Sequence, residues 1–416
     1  MRWGCAIDSV TISHATGSVY YLHYMYRPGT FGRERPMTLR SLAAFAVLSV
    51  APVLPTAAQE DGAPVSIGTY RVIESQVLGE TRRLLIHLPR GYDGAVISYP
   101  VVYHTYGDYL SEYYAEAFAV LEELGNSARM PQVILVGIDN IDRYRDLRPL
   151  SNDGAPSGIE DYVKFLVDEV FPFVERHYRA NGYRILAGPQ AGAVFGLYAL
   201  QQHPDLFDAF ILNNPLVSPP NTELLLAQAD SFYASRSSLR KFVYITFGGT
   251  GDSPGEIANV YRLAELAAPA GDKGLELHLN NLVDNDDFIP PLELGKALRT
   301  LFRDYHVGDR RFADLAEITA FYEGLSRRYG FDVPAAELVM TLAADALRQG
   351  GEIDKAIEIL EYETTLYPNM VNPWWQLAGI AAERGEIDRA IALYEKCLAI
   401  DPSMANFVRR RIEALR

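Results

Sequence analysis

Cysteine is nearly missing from this chain: two in 416 residues, Cys5 and Cys397, at opposite ends. That excludes a disulfide framework and a cysteine-built metal site. Basic residues are outnumbered, with 38 Lys and Arg against 53 Asp and Glu and a net charge of −15. The balance speaks against nucleic acid and anionic membranes as partners, and the acidity reads as a solvated surface. There is no P-loop, no G-x-G-x-x-G after a strand and no H-E-x-x-H, so neither a cofactor nor a metal is expected. The acidic loop with Asp284, Asn285, Asp286 and Asp287 lacks the spacing and glycine of an EF-hand. From Gly158 to Val217 there is no Ser, Thr or Cys, so that stretch supplies no hydroxyl or thiol nucleophile.

What is present suffices for two or three domains: the apolar fraction is 49%, ample for a sizeable core. Residues 37–59, MTLRSLAAFAVLSVAPVLPTAAQ, have the anatomy of a secretory signal peptide, with Arg40, an apolar run from Leu42 to Leu54 and small residues at Thr56-Ala57-Ala58. The run is shorter than the ~20 residues a membrane helix needs. Cleavage is therefore expected, giving an exported protein, periplasmic or secreted, with no stable membrane span. Met37 reads as the start, and residues 1–36 as an upstream extension from a mis-assigned start codon. The alternative is a cytoplasmic arm before a signal anchor, with Arg27, Arg33 and Arg35 inside.

From Val65 to Val307, short β-rich runs alternate with amphipathic helical stretches. Tyr70–Val77 and Arg83–Leu88 read as a hairpin around Gly79. Further strands are expected at Pro100–Tyr103, Val133–Ile138, Arg184–Ala187, Ala209–Leu212, Lys241–Phe247 and Leu275–Leu282, with one helix over Ile159–Tyr178. Such alternation predicts an α/β domain, a mostly parallel sheet covered by helices on both faces, with ligands bound beyond the carboxyl ends of its strands. Residues 308–332 read as a helical linker. From 333 to 416 the pattern is all-helical and repeats at a spacing of 34. Gly351-Glu352-Ile353-Asp354-Lys355-Ala356-Ile357 matches Gly385-Glu386-Ile387-Asp388-Arg389-Ala390-Ile391, and Pro368 matches Pro402. With Trp374, Leu377, Ala378, Tyr394 and Cys397, this is the pattern of tetratricopeptide repeats, closed by a polar capping helix at Ala405–Arg416. Two repeats are few to stand alone, so they are expected to pack on the first domain or on another copy of the chain.

Several stretches resemble one known family. Tyr99-Pro100-Val101-Val102-Tyr103 sits where it has its first core strand. Val136-Gly137-Ile138-Asp139-Asn140, with Arg143, Arg145-Asp146-Leu147 and Pro149, resembles its VGI.N..R.RDLTP segment. Phe165–Tyr178, Leu186–Leu200 and His203-Pro204-Asp205-Leu206-Phe207 match later elements. The chain resembles the esterase family of the α/β-hydrolase fold that contains esterase D and the enterochelin-type siderophore esterases, in a subgroup with tetratricopeptide repeats.

The resemblance implies a Ser–His–acid triad, and two of its positions are substituted. The frame Gly188-Pro189-Gln190-Ala191-Gly192 carries glutamine where G-x-S-x-G has the nucleophile. Asp287 stands in place of the histidine, and is a far weaker base than imidazole at neutral pH. Asp252 stands at the acid position, though it equally suits the cap of a helix starting near Pro254. His278 and His306 are out of register. The elbow is expected either to relax or to keep its shape for packing. Oxyanion donors would come from backbone near His104 and Thr105 and from Ala191, and a residual pocket would be lined by Asp108, Asn140, Arg143, Arg145 and Asn214, with His104 and Tyr106 beside them.

These substitutions point to a non-catalytic binding protein whose partner is a protein or peptide held by the repeats. One alternative is an acyl hydrolase using other residues, with Ser151 and Ser157 the nearest hydroxyls. Another is a binder of a small polar ligand in the vestigial pocket.

Overall fold

The computed structural model describes residues 66–107, 112–215, 219–248, 253–282 and 290–416. The signal segment, residues 1–36, Asp108, Asp252 and Asp284–Asp287 lie outside the described residues.

Eight strands form one sheet: β1 (Thr69–Ser75), β2 (Glu80–His87), β3 (Tyr99–His104), β4 (Ile134–Ile138), β5 (Ala180–Pro189), β6 (Ala209–Asn213), β7 (Lys241–Phe247) and β8 (Leu275–Asn281). Their order is β1-β2-β4-β3-β5-β6-β7-β8. β2 runs against both β1 and β4, and the remaining pairs are parallel. The β1–β2 turn carries Gly79 at φ 65°, a left-handed conformation that favours glycine.

Helices of this part are α1 (Glu112–Asn126), α2 (Arg143–Leu147), α3 (Ile159–Phe165), α4 (Phe171–His177), α5 (Ala191–Gln202), α6 (Asn221–Ser235), α7 (Pro254–Ala267) and α8 (Pro290–Leu301). The single helix expected over Ile159–Tyr178 is instead α3, a π turn over Leu166–Val170, and α4. Pro172 has no N–H to give to the preceding turn, and the wider π turn sits directly before it. The cap of α7 is Ser253, which accepts from Glu256 N–H while Glu256 reaches back to it. This capping box does the work that the sequence offered to Asp252.

Side chains divide between the two faces with period two, as strands require. Val101, Tyr103, Phe210, Leu212, Val243 and Ile245 enter one core. Val102, Leu135, Ile211, Phe242 and Tyr244 enter the other. This second core continues without a break into α9 (Leu315–Tyr329), α10 (Glu337–Gln349), α11 (Ile353–Leu366), α12 (Val371–Glu383) and α13 (Ile387–Ile400), and α14 (Ala405–Leu415) follows. The repeats do pack on the sheet domain. Val96 N–H donates to Leu366 O at 2.9 Å and Asn369 N–H to Gly94 O at 3.0 Å. Ala356 and Ala390, at matching places in the two repeats, are fully buried where helices touch. No helix of the described residues is long and apolar enough to cross a membrane.

Candidate active site at the strand ends

β5 passes into α5 through one residue, Gln190, at φ 51° and ψ −113°. A non-glycine side chain in such a conformation costs about 1–3 kcal/mol. The turn has therefore kept the strained elbow and has not relaxed. Packing enforces it. A Cβ on Gly188 would lie 2.4 Å from the Gly192 carbonyl oxygen, and one on Gly192 would lie 2.0 Å from Thr105 Oγ1. Gln190 N–H donates to Asn213 O at 2.8 Å, and Gln190 O accepts from Ala193 and Val194.

The half-buried Gln190 side chain meets Tyr106, whose hydroxyl donates to Oε1 at 3.4 Å. The Arg143 guanidinium lies 4.3 Å above the Tyr106 ring. Asn140 donates from Nδ2 to Thr105 O and to Ile138 O, tying the loops after β3 and β4 together. Asn214, also at positive φ (53°), follows β6 and donates its N–H to Thr246 O. Gln190, His104, Tyr106, Asn140, Arg143 and Asn214 thus gather at one end of the sheet.

Two expectations need correction. The resemblance places Arg145 in the pocket, but its guanidinium bonds Glu80 and Asp146, each at 2.7 Å. Those carboxylates also hold Arg82, and the Arg82–Asp146 pair, at 2.6 Å, is completely buried. A buried carboxylate needs such neutralisation, and Arg145 supplies part of it. The bond from Arg145 helps hold the Glu80 carboxyl below its ordinary range. The second correction concerns the oxyanion donors. Thr105 N–H is spent on Ala187 O at 3.1 Å, Tyr106 N–H on His104 Nδ1 at 3.2 Å, and Gly107 N–H on Ile138 O at 2.9 Å. Among the described residues named for this role, the Ala191 N–H, as the first of its helix, has no acceptor within it.

The alternative hydroxyls are committed elsewhere. Ser151 Oγ donates to Asp153 Oδ1 at 2.5 Å and to Ala155 O, and Ser157 Oγ donates to Arg148 O. The Ser151 bond holds Asp153 below the usual carboxylate range, which makes it a weak base. His278 pairs with Glu276 at 2.8 Å, and His306 is exposed.

One group was missed. Glu293 of α8 is 2% exposed, and its carboxylate accepts from Thr246 at 3.2 Å, from Asn280 and from Lys296 at 2.6 Å. It joins the ends of β7 and β8, beside the expected places of the acid and the histidine. The signal was a charge on the buried stripe Glu293, Ala297, Leu301 of an otherwise amphipathic helix. Below the elbow lies a cavity of about 20 Å³ between His104, Tyr113, Glu116 and Asn213, room for roughly one water. Burial pushes the Glu116 carboxyl up. Among the described residues, no cluster of three or more His, Cys, Asp or Glu is arranged to hold a metal ion.

Residues 75–268 match the family described as "Putative esterase". The match spans just under half of the chain. Residues 371–404 match a tetratricopeptide repeat. An IroE-like serine hydrolase from Shewanella oneidensis is 23% identical, and the alignment covers 72% of this chain and 99% of that one at a TM-score of 0.59. An uncharacterised protein from Capnocytophaga ochracea is 14% identical, with 83% and 99% covered and a TM-score of 0.50. The uncharacterized protein YjcH of Bacillus subtilis (strain 168) is 26% identical over 148 residues, which span 34% of this chain and 59% of that protein. The likeness to the two solved structures establishes the fold, an α/β-hydrolase sheet. The segment matched to that family carries Gln190, at φ 51°, in the turn from β5 into α5.

Proposed function

We propose that this esterase-family protein does not hydrolyse esters and works by binding, with the repeats as its partner face. The observation that carries the reading is Gln190, held at φ 51° in the nucleophile's place. A carboxamide has no proton to lose near neutral pH and does not form an acyl intermediate as a serine does. The other groups agree. Thr105, Tyr106 and Gly107 have given their N–H groups to other acceptors, Thr246 is fully buried, and Ser151 and Ser157 sit in a turn of their own. Asp287 and Asp252 complete the altered triad in this reading. Helical repeats offer a groove suited to a peptide or helix. We further propose export through residues 37–59, which cell fractionation checks.

The test is reversion. The wild-type protein is expected to leave short-chain nitrophenyl esters intact, and Gln190→Ser together with Asp287→His is expected to gain slow turnover. Turnover by the wild type overturns the reading.

A second reading, a small polar ligand in the old site, is favoured by unpartnered buried oxygens: Thr105 Oγ1, Asn140 Oδ1, Asn213 Oδ1 and Asn214 Oδ1. Three are amide carbonyls, which call for a ligand rich in donors such as a polyol. The one-water cavity below the elbow favours the first reading.

A further inference from the structure

At the amino end of β3, far along the strand from the elbow, the sheet domain and the first repeat enclose a cavity of about 270 Å³. We infer that this cavity is a binding site for a small organic cation, a primary ammonium on an apolar stem. Part of its wall is aromatic or apolar, with Tyr99, Tyr305, Phe331, Tyr367 and Met370, and Ser98, Asn126 and Gln132 add polar groups. An aromatic ring with a face open to the cavity attracts a cation. The one carboxylate in the lining is Glu337, at the start of α10.

Glu337 leads inward to a second carboxyl. Asn372 donates to Thr341 at 3.0 Å, and Thr341 donates to Glu363 Oε1 at 3.0 Å. Glu363 is fully buried and its Oε2 has no partner. In the second repeat the matching position, 34 residues on, is Cys397, a buried small residue that serves packing alone. A buried glutamate there costs desolvation. Neither Glu337 nor Glu363 forms an ion pair among the described residues. Arg90 also lines the cavity, but it is exposed and is not paired with Glu337. Burial pushes both carboxyls up, Glu363 to about 8. Glu337, on the cavity wall and without a counter-charge among the described residues, is the group an entering cation meets. The volume suits a single ring or a lysine stem, near the lower end of ligand sites.

The experiment uses the chain from Glu60 onward and two probe pairs: phenethylamine with neutral 2-phenylethanol, and a short lysine peptide with its acetyl-lysine counterpart. Thermal unfolding and calorimetric titration are read for the wild type and for Glu337→Gln. One cationic probe is expected to raise Tm by about 3 °C at saturation, its neutral partner to do nothing, and Glu337→Gln to lose the difference. Response to phenethylamine assigns a free amine, and response to the lysine peptide assigns a protein side chain. No response to either cation, equal response to the neutral partner, or unchanged binding by Glu337→Gln overturns the inference.

Discussion

Gln190 pays a conformational cost that an active enzyme repays by exposing its nucleophile. In the proposed reading packing alone holds it, through Gly188 against Gly192 and Gly192 against Thr105. Glycine adopts φ 51° without strain, at an entropic cost of about 0.5–1 kcal/mol against a strain of about 1–3. The bond lost with the Gln190 side chain is long, 3.4 Å. Gln190→Gly is therefore expected to raise stability by about 1 kcal/mol in urea unfolding. A loss of 1 kcal/mol or more would show that the side chain holds the turn. The elbow was legible in the sequence because close packing requires glycine at 188 and 192 whatever side chain stands at 190. Arg145 was misread because its R.RDL segment looks the same whether the guanidinium faces a ligand or a buried Asp146.

At the scale of elements, β2 and α2 are joined by charge. Arg82 and Asp146 are each completely buried, with Glu80 and Arg145 completing the network. Removing one charge strands the other in a dry interior. Asp146→Asn is expected to cost about 3–5 kcal/mol, measured by denaturant unfolding, while replacing Arg82 and Asp146 together by apolar residues costs less. Equal losses in the two variants would contradict this. Strand positions were legible from apolar runs, and the helical repeats from their spacing of 34. What stayed hidden depends on partners distant in sequence. β5 begins at Ala180, ahead of the expected Arg184–Ala187, because Tyr99 of β3 pairs with Ala180, and residues 181–183 fill the irregularity before Val101 pairs with Arg184. Glu293 gave a local signal, but its meaning needs Thr246 and Asn280 from two other elements.

At the scale of the molecule, one core runs from the sheet through the repeats. Ionisation inside a repeat is then felt by the whole fold. Glu363 is held up to about 8 by burial first and then by Glu337, with Thr341 opposing and Asp345 adding to the shift. Its pKa in the folded state lies above the unfolded value, so its contribution to stability is complete at acid pH and is lost as pH rises toward 8 and beyond. Glu363→Gln should therefore match the wild type near pH 5 and exceed it near pH 9, by a few kcal/mol to order of magnitude. The shift is expected in a single transition seen by both near-UV and far-UV signals. A pH-independent difference, or separate transitions for sheet and repeats, would contradict a shared core.

The central claim is that the family's elbow survives here without its chemistry. Its most direct test is intact-mass spectrometry of the wild-type chain from Glu60 onward after incubation with a fluorophosphonate, beside an active esterase of the same family. The account predicts an unmodified mass where the active enzyme gains one adduct. A stoichiometric adduct mapped to any one serine or threonine would contradict it.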